Sequence, residues 1–499
     1  MIDMNRKTNK LIAGISLIMI LLILPIIDVS SNQINLLDEP PGVSWSKTYG
    51  GVHNELAYSV EQTADGGYIL GGGTYSYGAG ESDAWLIKTD GEGNELWNKT
   101  YGGTREDKFN CVIKTSDGGY AATGYSEYPT SGKFELWVIK TDENGTVIWD
   151  KKYKNGNRVF GNCIIETEQG YVIVSEADGD AWLVGIDKNG DMIWNNNYGG
   201  VEPDDGDTVV HDDINGGYAI VGSTCSFGYG SSDIWFIKTD ETGGELWNKT
   251  FGGVEYDTGY DVIQTSDGGF AITGGIAPYG SAWRDACLIR TDENGSELWT
   301  NLYGGDDYDL GSSIIQTVVG DFLIAGSTPS FGADSCDGWL IKADENGNEI
   351  WNVTFGGKGI DDAISVVQSD DGGFVVAGRY RSKNNYDDAW LVKIGYCPTV
   401  TINKPKNGLY FMNSLIRPYL FRNPLIIGPI DIEVEVVDNK YEIDKVEFYV
   451  NDNLMVTETS EPYSMNWNQT VFGRFDVKVV AYNSQGLTGY NTVRVWKFF

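Results

Sequence analysis

Histidine is nearly absent from this chain. His53 and His211 are the only two in 499 residues, which excludes a three-histidine metal site. Basic residues are scarce: 36 Lys and Arg face 71 Asp and Glu, a formal net charge of −35. A nucleic-acid partner is thereby excluded, because phosphate-backbone affinity comes from clustered Lys and Arg. No G-x-S-x-G elbow occurs, which argues against a serine hydrolase. No C-x-x-C spacing suggests zinc, and no loop has full D-x-D-x-D-G calcium spacing. Proline numbers only 13, but glycine numbers 65. With 41% hydrophobic and 13% aromatic residues, the chain can bury sizeable cores and is not a disordered acidic tail.

Its N-terminus reads as an export segment. Arg6, Lys7 and Lys10 precede an apolar run from Leu11 to Ile27, 17 residues long. That length lies between a signal-peptide core and a membrane span. Small residues at Val29-Ser30-Ser31 suit a signal peptidase. Residues 1–31 are therefore expected to be a cleaved signal peptide or an uncleaved transmembrane anchor. Everything after Ser31 is expected to be extracytoplasmic, secreted or anchored.

A repeat organises the middle of the chain. A tryptophan followed by an aromatic residue and glycine recurs at Trp45, Trp97, Trp149, Trp194, Trp247, Trp299 and Trp351, at spacings of 52, 52, 45, 53, 52 and 52. A second tryptophan, in segments like DAWLIK, falls at Trp85, Trp137, Trp182, Trp235, Trp339 and Trp390, with Cys287 in its place once. Each precedes the next tryptophan of the first kind by 12 residues wherever one follows, which marks a rigid unit. Apolar and polar residues alternate on both sides of a D-x-x-G centre, the pattern of two strands and a tight turn. Upstream, DGG turns join a second pair of strands. No segment has helical periodicity. Four short strands per repeat predict an all-β fold, a β-propeller of four-stranded blades. Trp45 opens the array without a partner strand and Trp390 closes it without one. Pairing the two completes a seventh blade and leaves no open edge, so a seven-bladed propeller is expected over residues 43–396.

Tight turns on one face leave the longer loops on the other. Those loops span 74–83, 124–135, 224–233, 275–285 and 327–337, and variable loops on a rigid scaffold commonly carry function. They hold Tyr75, Tyr77, Tyr125, Tyr128, Phe227, Tyr229, Tyr279, Trp283 and Phe331, which are the candidate ligand- or partner-binding residues. Acidic residues also recur in register, among them Asp83, Asp107, Asp233, Asp257, Asp309, Asp361 and Asp388. A catalytic group is needed once, not in every blade. These carboxylates are expected to accept loop N–H groups. No catalytic residue, metal site or cofactor is assigned, and calcium is the one ion these loops could hold.

The repeat W-x-K-T-Y-G-G … D-G-G-Y-I-x-x-G … D-A-W-L-I-K resembles the tryptophan-rich propellers of secreted archaeal and bacterial surface proteins, a group that implies a fold but no single activity. The repeated turn, as in TDENGSELW at 291–299, also looks like the docking hairpin of pyrroloquinoline-quinone dehydrogenases. It is one residue shorter, lacks the Thr, and the chain has no Cys-Cys pair. Residues 398–499 form a second unit, where IDIEVEVVD, KVEFYVNDN and FDVKVVAYN alternate with period two. The pattern resembles bacterial and archaeal Ig-like modules and implies a β-sandwich serving as spacer or docking unit. Six cysteines lie at 111, 163, 225, 287, 336 and 397. Cys111 and Cys163 share one slot in adjacent repeats, but spacing leaves their pairing open.

Together these features predict a non-catalytic extracellular or cell-surface binding or adhesion protein that presents its loop face to a surface glycan or protein, with membrane contact only through its N-terminal segment. The alternative is a secreted glycan-active hydrolase or lyase using paired carboxylates on that face.

Overall fold

The computed structural model describes residues 40–498 apart from 279–282, 318, 333–334, 382–385, 396–397, 419–422, 439–440, 452 and 485–487. The export segment and Tyr279 lie outside the described residues. Every regular element among the described residues is a strand, and no helix is long and apolar enough to cross a membrane.

Seven four-stranded antiparallel sheets account for residues 42–395. Sheet one comprises Glu55–Gln62, Tyr68–Thr74, Asp83–Thr89 and Glu95–Tyr101. Sheets two to six begin at Asp107, Val159, Thr208, Thr258 and Leu310. The seventh joins Asp361–Gln368, Phe374–Arg381 and Asp387–Gly395 to Gly42–Tyr49, which pairs antiparallel with Asp387–Gly395 and sets Thr48 opposite Trp390. The C-terminal segment is sealed on its open edge by the start of the array.

The repeated residues explain these elements. In the third-to-fourth turn of sheet one, Asp90 accepts the amides of Glu92 and Asn94 at 2.9 and 2.8 Å. Gly93 there has φ +74, and a Cβ would lie 2.7 Å from the Trp45 ring. Left-handed backbone and the covering ring both require glycine. The same cover recurs with Trp97 on Gly145, Trp194 on Gly243 and Trp299 on Gly347. The fourth-strand tryptophan of one sheet thus caps a turn of the next.

Consecutive sheets share apolar cores. Leu323, Trp351 and Phe355 meet Val376 and Trp390 between sheets six and seven. Tyr49, Val375, Ala377 and Leu391 of sheet seven meet Val60, Tyr68 and Trp85 of sheet one.

A polar belt runs inside these cores. The first strand of most sheets carries a bulge, as at Ala57/Ser59 and Gly311/Ser313, which turns two successive residues inward. They line a cavity of about 520 Å³ that includes Tyr58, Ser59, Asn110, Cys111, Asp207, Tyr260 and Ser365. One inward side chain per sheet reaches the backbone of the next. Ser59 accepts from Val112 N at 3.2 Å, Asp261 from Ile314 N at 2.9 Å, Ser313 from Val366 N at 3.4 Å and Ser365 from Val60 N at 3.3 Å. Thr208 donates to the Tyr260 carbonyl at 2.8 Å. The Ser365 bond joins the last sheet to the first.

At the tight-turn end, a buried cation on the third strand reaches the Asp of the first turn: Lys88 to Asp65 at 2.8 Å, Lys140 to Asp117 at 2.9 Å, Lys342 to Asp321 at 2.8 Å and Lys393 to Asp371 at 2.6 Å. Sheet three has Gly185 in this position, and Trp194 packs into the space a Cβ would take.

The C-terminal region forms a three-stranded and a seven-stranded sheet around one core that includes Tyr410, Phe448, Trp467, Val479 and Val495. Its Tyr441 hydroxyl donates to the Asp371 carbonyl at the tight-turn end.

Candidate functional site

At the loop end, a strip of aromatic and charged side chains crosses from sheet seven to sheet three. His53 and Tyr386 meet edge-on at 5.8 Å, and with Asn54, Tyr75 and Glu81 they line a recess of about 310 Å³. Lys108 Nζ lies over the Tyr75 ring at 5.4 Å and the Tyr125 ring at 5.9 Å, and pairs with Glu106 at 3.0 Å. The Tyr125 hydroxyl donates to the same carboxylate at 2.8 Å. Tyr125 packs edge-on against Phe134 at 5.4 Å and Phe160 at 4.9 Å, and the exposed Arg158 guanidinium stacks on Phe160 at 5.4 Å. Burial first, then the carboxylate, raises the Tyr125 hydroxyl well above its usual range, so it stays a neutral donor. Rings with polar neighbours of both signs offer flat stacking surfaces and directed hydrogen bonds.

The described aromatic residues among those predicted divide into four groups. Tyr75 and Tyr125 belong to the strip. Tyr77, Phe227 and Phe331 instead cover the buried third-strand tryptophans Trp85, Trp235 and Trp339, at 5.8, 5.5 and 5.5 Å. Tyr128 stacks beneath Lys154 at 5.1 Å. Tyr229 and Trp283 are exposed at 82% and 51%, at sites apart from the strip. Sequence reasoning missed His53, Lys108, Phe134, Arg158, Phe160 and Tyr386. Lys108 and Phe160 each follow the recurring acidic slot, where other repeats have Leu56 or Leu310. Charge and an aromatic ring at that position were the readable signal.

The register carboxylates hold loop backbone. Asp83 accepts from Ala79 and Gly80 at 3.0 Å each, Asp107 from Gly103 at 2.7 Å and Asp233 from Tyr229 at 2.7 Å. Asp257 accepts from Gly253 at 2.6 Å and Ala277 at 2.8 Å, Asp309 from Gly305 at 2.8 Å and Asp361 from Arg381 at 2.9 Å. Asp388 lies beside Glu55 across Gly50. In sheet four Asp204, not Asp205, fills this slot and accepts from Gly200 at 2.7 Å.

These carboxylates also meet in pairs between sheets. Burial, opposed by the Tyr229 amide and reinforced by Asp257, raises Asp233 to about 6. Burial followed by a neighbouring carboxylate raises Asp180, Asp285 and Asp388. A raised carboxyl holds in the folded state a proton that the unfolded chain releases, so its contribution is greatest below about pH 3.8 and falls as pH rises toward 6. Against the cost of its partial burial, the Lys88 ammonium and Thr63 hydroxyl lower Asp65 to about 2. The Thr115 hydroxyl, against partial burial and with help from Lys140, lowers Asp117 to about 2. Those contributions are present above pH 3.8 and lost as pH falls toward 2. The unfolding midpoint is therefore expected to peak near about pH 4 and to decline toward pH 7, aided by self-repulsion of the acidic chain. Calorimetric scans across pH check this, and a midpoint rising steadily from pH 4 to 7 contradicts it.

The tight-turn end holds a larger recess of about 800 Å³, lined by Glu166, Glu168, Lys188, His211, Tyr218 and Glu241 among others. It lies beside the clamp that sheet three lacks. His211 is flanked there by Asp213 at 2.7 Å and Glu241 at 3.4 Å.

Comparison with known proteins identifies one part of the chain. Residues 398–479 match the bacterial Ig domain family, so the C-terminal region carries an Ig domain of bacterial type. No curated protein matches the chain. Among solved structures, a protein described as the extracellular domain of a hybrid two-component system from B. thetaiotaomicron is 11% identical, covering 92% of this chain and 58% of its own, with a TM-score of 0.43. The Dos1 propeller is 10% identical over 72% of this chain and 95% of its own, with a TM-score of 0.41. The fibronectin(III)-like modules of Clostridium thermocellum CbhA are 25% identical over 20% of this chain and 96% of theirs, with a TM-score of 0.16. The chain spans about three-fifths of the length of the two-component-system domains it resembles. These scores are too low to carry function from those proteins to this one.

Proposed function

We propose that this chain is an exported glycan-binding protein. Its seven sheets form a closed seven-bladed β-propeller over residues 43–396, residues 398–499 form an Ig-like spacer, and the ligand binds at the loop end. The observation that carries the reading is the continuous strip His53–Tyr386–Tyr75–Lys108–Tyr125–Phe160–Arg158. It gathers rings from four sheets beside a recess of about 310 Å³. The Ig domain contacts the tight-turn end through Tyr441 and Asp371, the end opposite the loops. Aromatic faces match the apolar faces of sugar rings, and Glu106, Glu81 and Arg158 supply hydrogen bonds at their edges. Export fits the basic N-terminal flank with its apolar run, and fits an Ig domain of bacterial type.

A glycan array paired with a turnover assay tests the proposal. Binding without product is the expected result. The double variant Tyr75→Ala/Tyr125→Ala is expected to weaken binding at least about tenfold, the loss of one to two good contacts. The Glu241→Gln variant at the opposite end is expected to leave binding unchanged. Product release instead assigns the chain to the glycan hydrolases or lyases. Retention on a protein array, with no glycan bound, assigns it to protein adhesion.

A further inference from the structure

The hydrogen-bonded belt around the central cavity changes its chemistry at two adjacent junctions. At most junctions an oxygen of one sheet bonds the next sheet's backbone at 2.8–3.4 Å. Where sheet two meets sheet three and sheet three meets sheet four, the same slot holds Cys111 and Cys163, and the preceding Asn110 and Asn162 amides carry the bond instead, to the Gly161 and Gly206 carbonyls at 3.0 Å each. Their thiols reach only the Ile164 and Val209 carbonyls, at 4.0 and 3.9 Å, and a thiol is a weak donor even at closer range. The two sulfurs are 4.0 Å apart. Both cysteines follow bulges at matching positions, Phe109/Cys111 and Gly161/Cys163, so their Cβ atoms leave the two strands in the same sense. Both line the cavity of about 520 Å³ and are partly accessible. Two other described cysteines are placed differently. Cys287 is buried inside a core, and the Cys336 sulfur faces the Asp362 carboxylate at 3.8 Å.

We propose that Cys111 and Cys163 are a redox-active dithiol that closes to a disulfide, covalently joining sheets two and three across the cavity wall. The reaction is thiol–disulfide exchange with an external disulfide of the glutathione class. One thiolate attacks a sulfur of the external disulfide, forming a mixed disulfide and releasing one thiol. The second thiolate then attacks the protein sulfur of that mixed bond and releases the second thiol. Two protein S–H bonds are lost, one S–S bond forms, and the external disulfide is reduced to two thiols. The sulfurs already lie 4.0 Å apart, and rotation about the two Cα–Cβ bonds is the movement that closes this gap to a bond of about 2.05 Å. The cross-link encloses 53 residues from Cys111 to Cys163 and restricts the unfolded chain accordingly.

The test incubates the full chain with oxidised glutathione, then blocks free thiols and maps peptides by mass spectrometry. The expected result is a peptide pair joined through Cys111 and Cys163, a loss of two titratable thiols, and an unfolding midpoint a few degrees above that of the reduced chain. Reduction by dithiothreitol is expected to reverse all three changes. Cys111→Ser and Cys163→Ser chains are each expected to show neither the linked peptide nor the oxidant-dependent rise. If Cys111→Ser folds poorly, Cys111→Ala serves, because it only removes the weak sulfur contact. A stable mixed disulfide at Cys111 that never resolves, a cross-link to Cys225 or Cys336, or unchanged thiol content overturns the proposal. None of these outcomes depends on glycan binding, so the binding reading stands or falls separately.

Discussion

Trp235→Ala is expected to lower stability by about 3–5 kcal/mol, the range for truncating a fully buried aromatic. Trp235 is 1% exposed and sits among Val172, Val174, Leu183, Val209 and Ile220, from both sheets three and four. Its indole N–H has no hydrogen-bond partner among the described residues, so the expected loss is one of packing. Neighbouring strands are tied on both sides and cannot collapse into the cavity. Phe227, which covers the indole from the loop end and is 40% exposed, should cost much less when replaced by alanine. Denaturant titration measures both. A Trp235→Ala loss below about 1 kcal/mol places the ring outside a packed intersheet core.

Deleting residues 42–49 is expected to have an effect at least as large. That segment supplies the fourth strand of sheet seven, so its loss leaves every outward N–H and C=O of Asp387–Gly395 unpaired. Tyr49 leaves the core it shares with Leu391 and Trp85, and its hydroxyl no longer donates to the Gly93 carbonyl at 2.7 Å. Trp45 no longer covers Gly93, and Trp390 loses its bond to Ser46 at 2.7 Å. The exposed edge becomes a template for pairing with another chain. The deleted protein is expected to unfold at a much lower temperature and to self-associate, as light scattering measures. A monomer with an unchanged midpoint contradicts the pairing.

The repeats are legible because each piece has a local cause. D-x-x-G turns announce themselves through the Asp that accepts two amides and the Gly that takes a positive φ. The fixed 12-residue interval is a hairpin that cannot vary without breaking the pairing of Trp85 with Thr100 and Lys88 with Trp97. The recurring Asp residues are readable as loop ties because repetition rules out a unique chemical task. The strip at the loop end is harder to see. Its members come from four sheets, and each is unremarkable in its own repeat: Lys108 replaces a leucine, and Arg158 precedes a broken acidic slot. Aromatic residues in the loops were visible, but whether a ring faces water or folds back onto its own tryptophan depends on one torsion. That choice separates Tyr75 from Tyr77, two residues apart. The cation clamps and the inward bulges are tertiary facts, since Lys88 meets Asp65 and Ser59 meets Val112 across 23 and 53 positions of sequence.

The proposed binding end rests on the sealing of the last sheet by the first strand. Native-state hydrogen exchange on the intact chain measures that directly. The amides of residues 42–49 are expected to be protected to the same degree as those of 387–395 and to open with them at the same denaturant concentration. If residues 42–49 exchange as fast as an untethered tail while 387–395 stays protected, the array is not sealed there and the assignment of its two ends fails.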